Sequence, residues 1–131
     1  MAAAESYPDD LKYHREHDWA RIDGDEATLG ITWYAQDSLG ELVHFEPPEV
    51  GASVSKDQSY GEVESVKAVS DVIAPLSGEV LEVNQAVVDA PETVNDDPYG
   101  NGWLIRIRLA DPGEVEALLD SGAYRQLLAQ Q

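Results

Sequence analysis

The residue best suited to carry chemistry is Lys67, within Gly61-Glu62-Val63-Glu64-Ser65-Val66-Lys67-Ala68-Val69-Ser70-Asp71-Val72-Ile73-Ala74-Pro75-Leu76-Ser77-Gly78. Two extended runs, 59–66 and 71–76, converge on it across a very short connection, so the amine is projected on a stiff hairpin. A lysine that forms Schiff bases or acts as a general base is desolvated in a pocket, where its pKa falls. One displayed on a turn suits covalent modification by another enzyme, which needs steric access more than an unusual pKa. For a lone lysine, a plain solvated hairpin residue would be the better reading. Competition is limited, because the chain's lysines are Lys12, Lys56 and Lys67.

The remaining reactive groups point to little. His14 and His17 are three apart, and in an extended segment they face opposite ways. His44 belongs to a separate strand, so structural or surface histidines are a better reading than zinc. Asn95-Asp96-Asp97 with Gly100-Asn101-Gly102 superficially resembles a calcium loop. Pro98 and Tyr99 stand where ligands should be and no Glu closes the loop, so it is read as a turn. Glu62 and Glu64 share a strand face with no sign of a substrate pocket. There is no cysteine, which excludes disulfides and thiol catalysis. No phosphate-cradling loop or nucleophile elbow occurs.

The body that must hold Lys67 is a chain of 131 residues with 26 Asp or Glu against 8 Lys or Arg, a formal net charge of -18. That excess argues against nucleic acid or an anionic membrane as partner and favours either partners with basic patches or a surface adapted to a high-salt cytoplasm, which has the same signature. A 43% hydrophobic content suffices for a core and the length fits one domain. The longest apolar stretches fall far short of a membrane span. The start, Met1-Ala2-Ala3-Ala4-Glu5-Ser6, has the features of neither a secretory signal nor a transit peptide, so a cytoplasmic location is expected.

Residues 1–10 are expected to form a flexible leader, and 11–131 a single domain of short strands. Ala27, Leu29 and Ile31 alternate with Thr28 and Gly30, the period of a half-buried strand. Thr32 is placed to cap a brief helix over 33–39 that Gly40 stops. A strand over 42–45 ends at Pro47-Pro48, and 79–83 is another. The stretch 84–94 reads as two helical pieces broken at Pro91. In 103–109, Trp103, Ile105, Ile107 and Leu109 share one face while Leu104, Arg106 and Arg108 share the other. Asp111, Pro112 and Glu114 give a helix start, with Gly122 as its stop, and a last short helix spans 124–129. The pattern predicts a mainly β, α+β domain with a C-terminal helical segment.

Glu64-Ser65-Val66-Lys67-Ala68, with Ala74-Pro75 and Ser77-Gly78 downstream, resembles the attachment site of lipoyl carrier domains. Biotin carriers usually present Met on both sides of the lysine, whereas Val66 and Ala68 flank it here. A broader set is similar to the H-protein family of the glycine cleavage system. It comprises Tyr13, His17-Asp18-Trp19, Gly30-Ile31-Thr32, Tyr34-Ala35-Gln36-Asp37, Leu39-Gly40 and Pro47-Pro48-Glu49-Val50-Gly51. Val94-Asn95, Asp97-Pro98-Tyr99-Gly100 and Gly102-Trp103-Leu104-Ile105 complete it. These motifs run in order over roughly residues 13–128.

The resemblance implies a hammerhead-like barrel-sandwich hybrid with short helices, and a monomeric, non-catalytic carrier. It implies lipoate in amide linkage to Lys67, which removes that lysine's charge. The arm would take the aminomethyl group of glycine from a pyridoxal-phosphate-dependent decarboxylase to a tetrahydrofolate-dependent aminomethyltransferase. Dihydrolipoamide dehydrogenase would reoxidise it, and a lipoate-attaching enzyme would read Glu64, Ser65 and Ala68. Asp18 and Asp71 match the acidic positions that receive the loaded arm, as carboxylates suited to an aminium group. Asp18 stands where the family more often has Glu, and Trp33 where an acidic residue is frequent. An H-like protein that relays lipoate to other enzymes is the alternative in the same carrier class.

Overall fold

The computed structural model describes residues 3–131, and among them the chain forms two antiparallel sheets with short helices. The larger sheet has strand order β1-β2-β3-β9-β8-β5. Its strands are β1 (Lys12–Tyr13), β2 (Asp18–Asp23), β3 (Glu26–Ile31), β5 (Ser53–Val54), β8 (Gly78–Val83) and β9 (Ile105–Leu109). The smaller sheet, in order β4-β6-β7, consists of β4 (Leu42–Glu46), β6 (Ser59–Ser65) and β7 (Val69–Ile73). Its order makes β6 the centre, paired on one side with β4 and on the other with β7. The mainly β architecture agrees with expectation, although the described strands do not close into a barrel.

Local chemistry accounts for the helices. Thr32 accepts the Ala35 N–H at the start of α1 (Trp33–Leu39), and Gly40 ends it at φ 84°, a conformation that favours glycine. Asn84 caps α2 (Gln85–Asp89) by accepting from Ala86 N–H, and α3 (Thr93–Asp96) follows. Asp111 opens a 3-10 helix over Pro112–Ala117, which gives way to extended chain at Leu118. Asp120 then caps α4 (Ser121–Ala129). The predicted stop at Gly122 is therefore corrected: that glycine lies in the first turn of α4, because Asp120 supplies a stronger start signal two residues earlier.

Alternation along β2 divides its side chains between two cores. Ala20 joins Leu29, Phe45, Tyr60, Val63, Val72 and Ile107 in the cluster between the sheets. Trp19, on the opposite face, joins Tyr7, Leu11, Tyr13, Tyr99 and Tyr124. Tyr13 stacks on Tyr124 at 4.8 Å, and Tyr7 meets it edge-on at 5.5 Å. This second cluster overturns the expected loose leader over its described part, 3–10. Tyr7 is buried, Tyr99 Oη donates to Ser6 O, and Trp33 Nε1 donates to Ala3 O. The sequence of that segment lacks periodicity, and its order comes from distant partners, the aromatic rings together with Asn95, Ser121 and Arg125.

No helix among the described residues is long and apolar enough to cross a membrane. Between β8 and β9 the chains approach so closely that a Cβ on Gly78 would lie 2.2 Å from Arg108 O and 3.0 Å from Ile107 Cδ1. Gly78→Ala is expected to lose about 1–3 kcal/mol of stability, read as a lower urea midpoint. An unchanged midpoint would show that the two strands part without cost.

Candidate functional site

Lys67 occupies the tip of the β6–β7 hairpin, where Glu64 pairs with Val69. The connection is closed by Ser65. Its N–H donates to Ala68 O at 2.8 Å, and its Oγ accepts from Lys67 N–H at 3.2 Å and from Ala68 N–H at 3.1 Å. Ser65 is consequently buried inside the turn it shapes. That geometry departs from the expected recognition role for Ser65, since its side chain is not displayed to another protein. Glu64 and Ala68 are exposed.

A platform supports the tip from below. Val66 N–H donates to Glu41 O at 3.3 Å, and a Cβ on Gly40 would lie 3.6 Å from Lys67 Cε, so the lysine stem runs over Gly40. Asn95 fixes that platform. Its Oδ1 accepts Leu42 N–H, while its Nδ2 donates to Gly40 O and Gln36 Oε1. The Lys67 ammonium has no hydrogen-bond or ion-pair partner among the described residues. Val66 and Val69, exposed by 72% and 59%, flank it along the hairpin, and Val43, exposed by 47%, lies on the adjoining strand β4. An exposed, unpaired amine on a clasped turn is sterically open to covalent modification by another enzyme.

Asp18 and Asp71, expected to work together, have very different surroundings. Asp71 is exposed on β7 opposite Glu62 and accepts from Ser59 Oγ at 3.2 Å. Asp18 begins β2 and is 2% exposed. Its side chain shares the Ala20 face, between the sheets, and takes a hydrogen bond from the Ile73 backbone of β7. Burial pushes its carboxyl well above the ordinary range, the Ile73 N–H opposing this only in part. Its Oδ1 has no hydrogen-bond partner among the described residues.

A tight turn sets Asp18 in place. His17 N–H donates to His14 O, His14 N–H donates to Asp18 O, and His17 adopts φ 75°. This corrects the extended reading of 14–17. The His14 ring accepts Glu16 N–H at Nδ1, which leaves Nε2 to donate to Asp57 at 2.7 Å. His17 lies 2.8 Å from Tyr124 Oη, and burial lowers its pKa. His44 pairs with Glu46 on the surface. Trp33, left unexplained by sequence, anchors the N-terminal segment through Ala3 O.

Sequence reasoning missed Tyr60. The β6–β7 register steps from Ser59↔Ile73 to Gly61↔Val72, so Tyr60 is the extra residue of a bulge. It is buried, its Oη has no hydrogen-bond partner among the described residues, and burial pushes its hydroxyl pKa well up, the neighbouring Asp18 adding to the shift. The one local signal was the glycine directly after it, Gly61, since a glycine inside a strand pattern marks a bulge or a close backbone approach.

Comparison with known proteins gives a consistent result. A family model described as "Glycine cleavage H-protein" matches residues 11–131. The chain is 54% identical over 123 residues to a "Glycine cleavage system H protein" of Halorhodospira halophila, covering 93% of this chain and 95% of that protein. It is 48% identical over 125 residues to the protein of that name from Myxococcus xanthus, covering 95% and 97%. A crystal structure of a glycine cleavage system H protein from Mycobacterium marinum superposes with a TM-score of 0.86 at 44% identity, covering 93% of this chain and 98% of that one.

Asp18 has a measurable consequence. A carboxyl with a raised folded-state pKa contributes stability that is complete below its unfolded value, near 3.8, and is lost as pH rises through the folded value. Asp18→Asn, neutral at every pH, is expected to melt above the parent at about pH 7, with the gap closing toward about pH 4. Parallel melting curves across that range would show that Asp18 is not held neutral by the fold.

Proposed function

The chain belongs to the glycine cleavage H-protein family and is a lipoyl-carrying shuttle of the glycine cleavage system, and on that premise we propose that its arm is built on Lys67. The observation that carries this assignment is the exposed, unpaired ammonium at the Ser65-clasped tip. Once attached in amide linkage, lipoate supplies a dithiolane that takes up the aminomethyl fragment of glycine and passes it on.

The chain's own residues do the holding and presenting. The Ser65 clasp and the Asn95 platform keep the attachment point away from the body, so a tethered group meets each enzyme at high effective concentration. Glu64 and Ala68, exposed beside Lys67, are the surface a lipoate-attaching enzyme reads. The partners proposed are the pyridoxal-phosphate-dependent glycine decarboxylase, the tetrahydrofolate-dependent aminomethyltransferase and dihydrolipoamide dehydrogenase. A cavity of about 460 Å³ beside Gly40, bordered by Asp37, Glu41 and Glu92, adds local acidity suited to basic partner surfaces. In this reading the chain is a non-catalytic, monomeric, cytoplasmic carrier whose single domain takes in the packed segment 3–10 with residues 11–131. Asp18 and Asp71 receive the loaded arm, their carboxylates matching an aminium group. With Asp18 buried, the arm reaches it only when the side chains above it give way. The lipoate-relay alternative has no separate observation in its favour.

Peptide mapping after expression in a lipoate-competent host is expected to find lipoyl on Lys67 and none on Lys12 or Lys56. Lys67→Arg should keep the melting temperature and abolish glycine–bicarbonate exchange, because a guanidinium forms no lipoyl amide. Lipoyl at another lysine, or exchange by the arginine variant, would refute the assignment.

A further inference from the structure

Two buried polar atoms are left over where the sheets meet. Asp18 Oδ1, on the first residue of β2, and Tyr60 Oη, on β6, each lack a hydrogen-bond partner among the described residues. They belong to one neighbourhood. The Ile73 backbone that donates to Asp18 is paired with Ser59, and the bulge inserts Tyr60 next in line on that strand. A bulge re-aims a side chain, and here it turns a residue of the central strand into the core that contains Ala20 and Val72. A phenylalanine would fill the same apolar space without an orphaned hydroxyl. Buried groups of this kind normally have partners.

We propose that Tyr60 is a binding residue for the loaded arm: its hydroxyl oxygen and Asp18 Oδ1 together accept hydrogen bonds from the aminium group at the arm's end. This rests on the docking of the loaded arm at Asp18 proposed above and adds to it a residue that the acidic positions alone do not supply. An aminium group has three N–H donors, so one carboxylate oxygen leaves two to be placed. Asp18, a methylene shorter than Glu, reaches less far into the space between the sheets, and a phenol on the facing strand makes up the coordination. Among the described residues no direct hydrogen bond joins Asp18 Oδ1 to the Tyr60 hydroxyl, so both oxygens are available to one shared donor.

The test compares full-length lipoylated protein with its Tyr60→Phe and Asp18→Asn variants, each loaded using [2-13C]glycine and the decarboxylase. The readouts are the half-life of the loaded arm in the absence of aminomethyltransferase and the 13C shift of its methylene. Decay is hydrolytic: water cleaves the S–CH2 and C–N bonds, releasing the thiol, formaldehyde and ammonium. Tyr60→Phe is expected to shorten the half-life roughly tenfold and to move the 13C shift. Its unloaded melting temperature should be equal to or above the parent's, because an unpaired buried hydroxyl has been removed. A merely structural tyrosine would give a changed melting temperature with an unchanged half-life and shift. An unaltered half-life in Tyr60→Phe with a shortened one in Asp18→Asn would overturn the role of Tyr60 and leave docking at Asp18 standing. Unaltered half-lives in both would overturn the docking reading as well.

Discussion

The antiparallel ladder between β6 and β7 is the constraint on which the rest of the molecule depends. One end of it is the Ser65 clasp that presents Lys67, and the other is the bulge where Tyr60 turns inward beside Ile73. A single pair of strands thus fixes both the point where a tethered group begins and the interior neighbourhood of Asp18. β4 completes the sheet on the far edge of β6, and Asn95 ties its start to the end of α1. If the ladder slipped by one residue, every side chain on it would change face, and Val63 and Val72 would leave the core. The buried pattern of those valines is what holds the register.

Charge is arranged around that frame in an uneven way. Arg106 bridges Glu26 and Glu82 across β3, β9 and β8, and Arg108 lies 3.7 Å from Glu79. Arg21 lies over the Trp19 ring and donates to Tyr99 O, while Arg125 lies over Tyr7. Exposed pairs of this sort contribute little stability individually. Their effect is to occupy arginines on the larger sheet and the aromatic cluster, away from the hairpin tip. Around Lys67 the exposed charges are carboxylates, so acylation of that lysine makes an already acidic face more so. Long-range attraction to a basic partner is then strong at low salt and screened at higher salt.

Sequence legibility followed the range of the forces involved. Thr32, Gly40 and the Lys67 hairpin were readable because capping, positive φ and two-residue periodicity act within a few residues. Trp103–Leu109 was readable for its alternation, although both Leu104 and Ile105 are buried and the ladder of β9 begins only at Ile105. The N-terminal segment was misread because its order is contributed by Tyr99, Tyr124 and Trp33, far along the chain. His14 and His17 were misread because a turn stabilised by backbone bonds to Asp18 has no local composition signal. Asn95 was assigned to a turn cluster on composition, with nothing local to show that its amide would join α1, β4 and α3. A bulge is hardest of all, since one added residue shifts the phase of the alternation, and here the inward residues Tyr60 and Val63 stand three apart.

The two unpaired atoms at Asp18 and Tyr60 then have a place in the energetics of the whole. Each orphaned buried polar group costs about 1–3 kcal/mol, comparable with the loss of a core methyl or two. Such a cost is tolerable in a fold whose other core positions, among them Trp19, Leu29, Val63 and Ile107, are almost completely buried. Hydrophobic replacements at both sites would be expected to give a more stable protein, yet they would leave the interior with nothing to offer a charged guest. A carrier must hold its cargo between encounters and release it during them, so its interior grip has to be incomplete when empty. Stability is surrendered at the far end of the ladder whose near end bears the arm, and that separation lets one rigid hairpin serve both tasks.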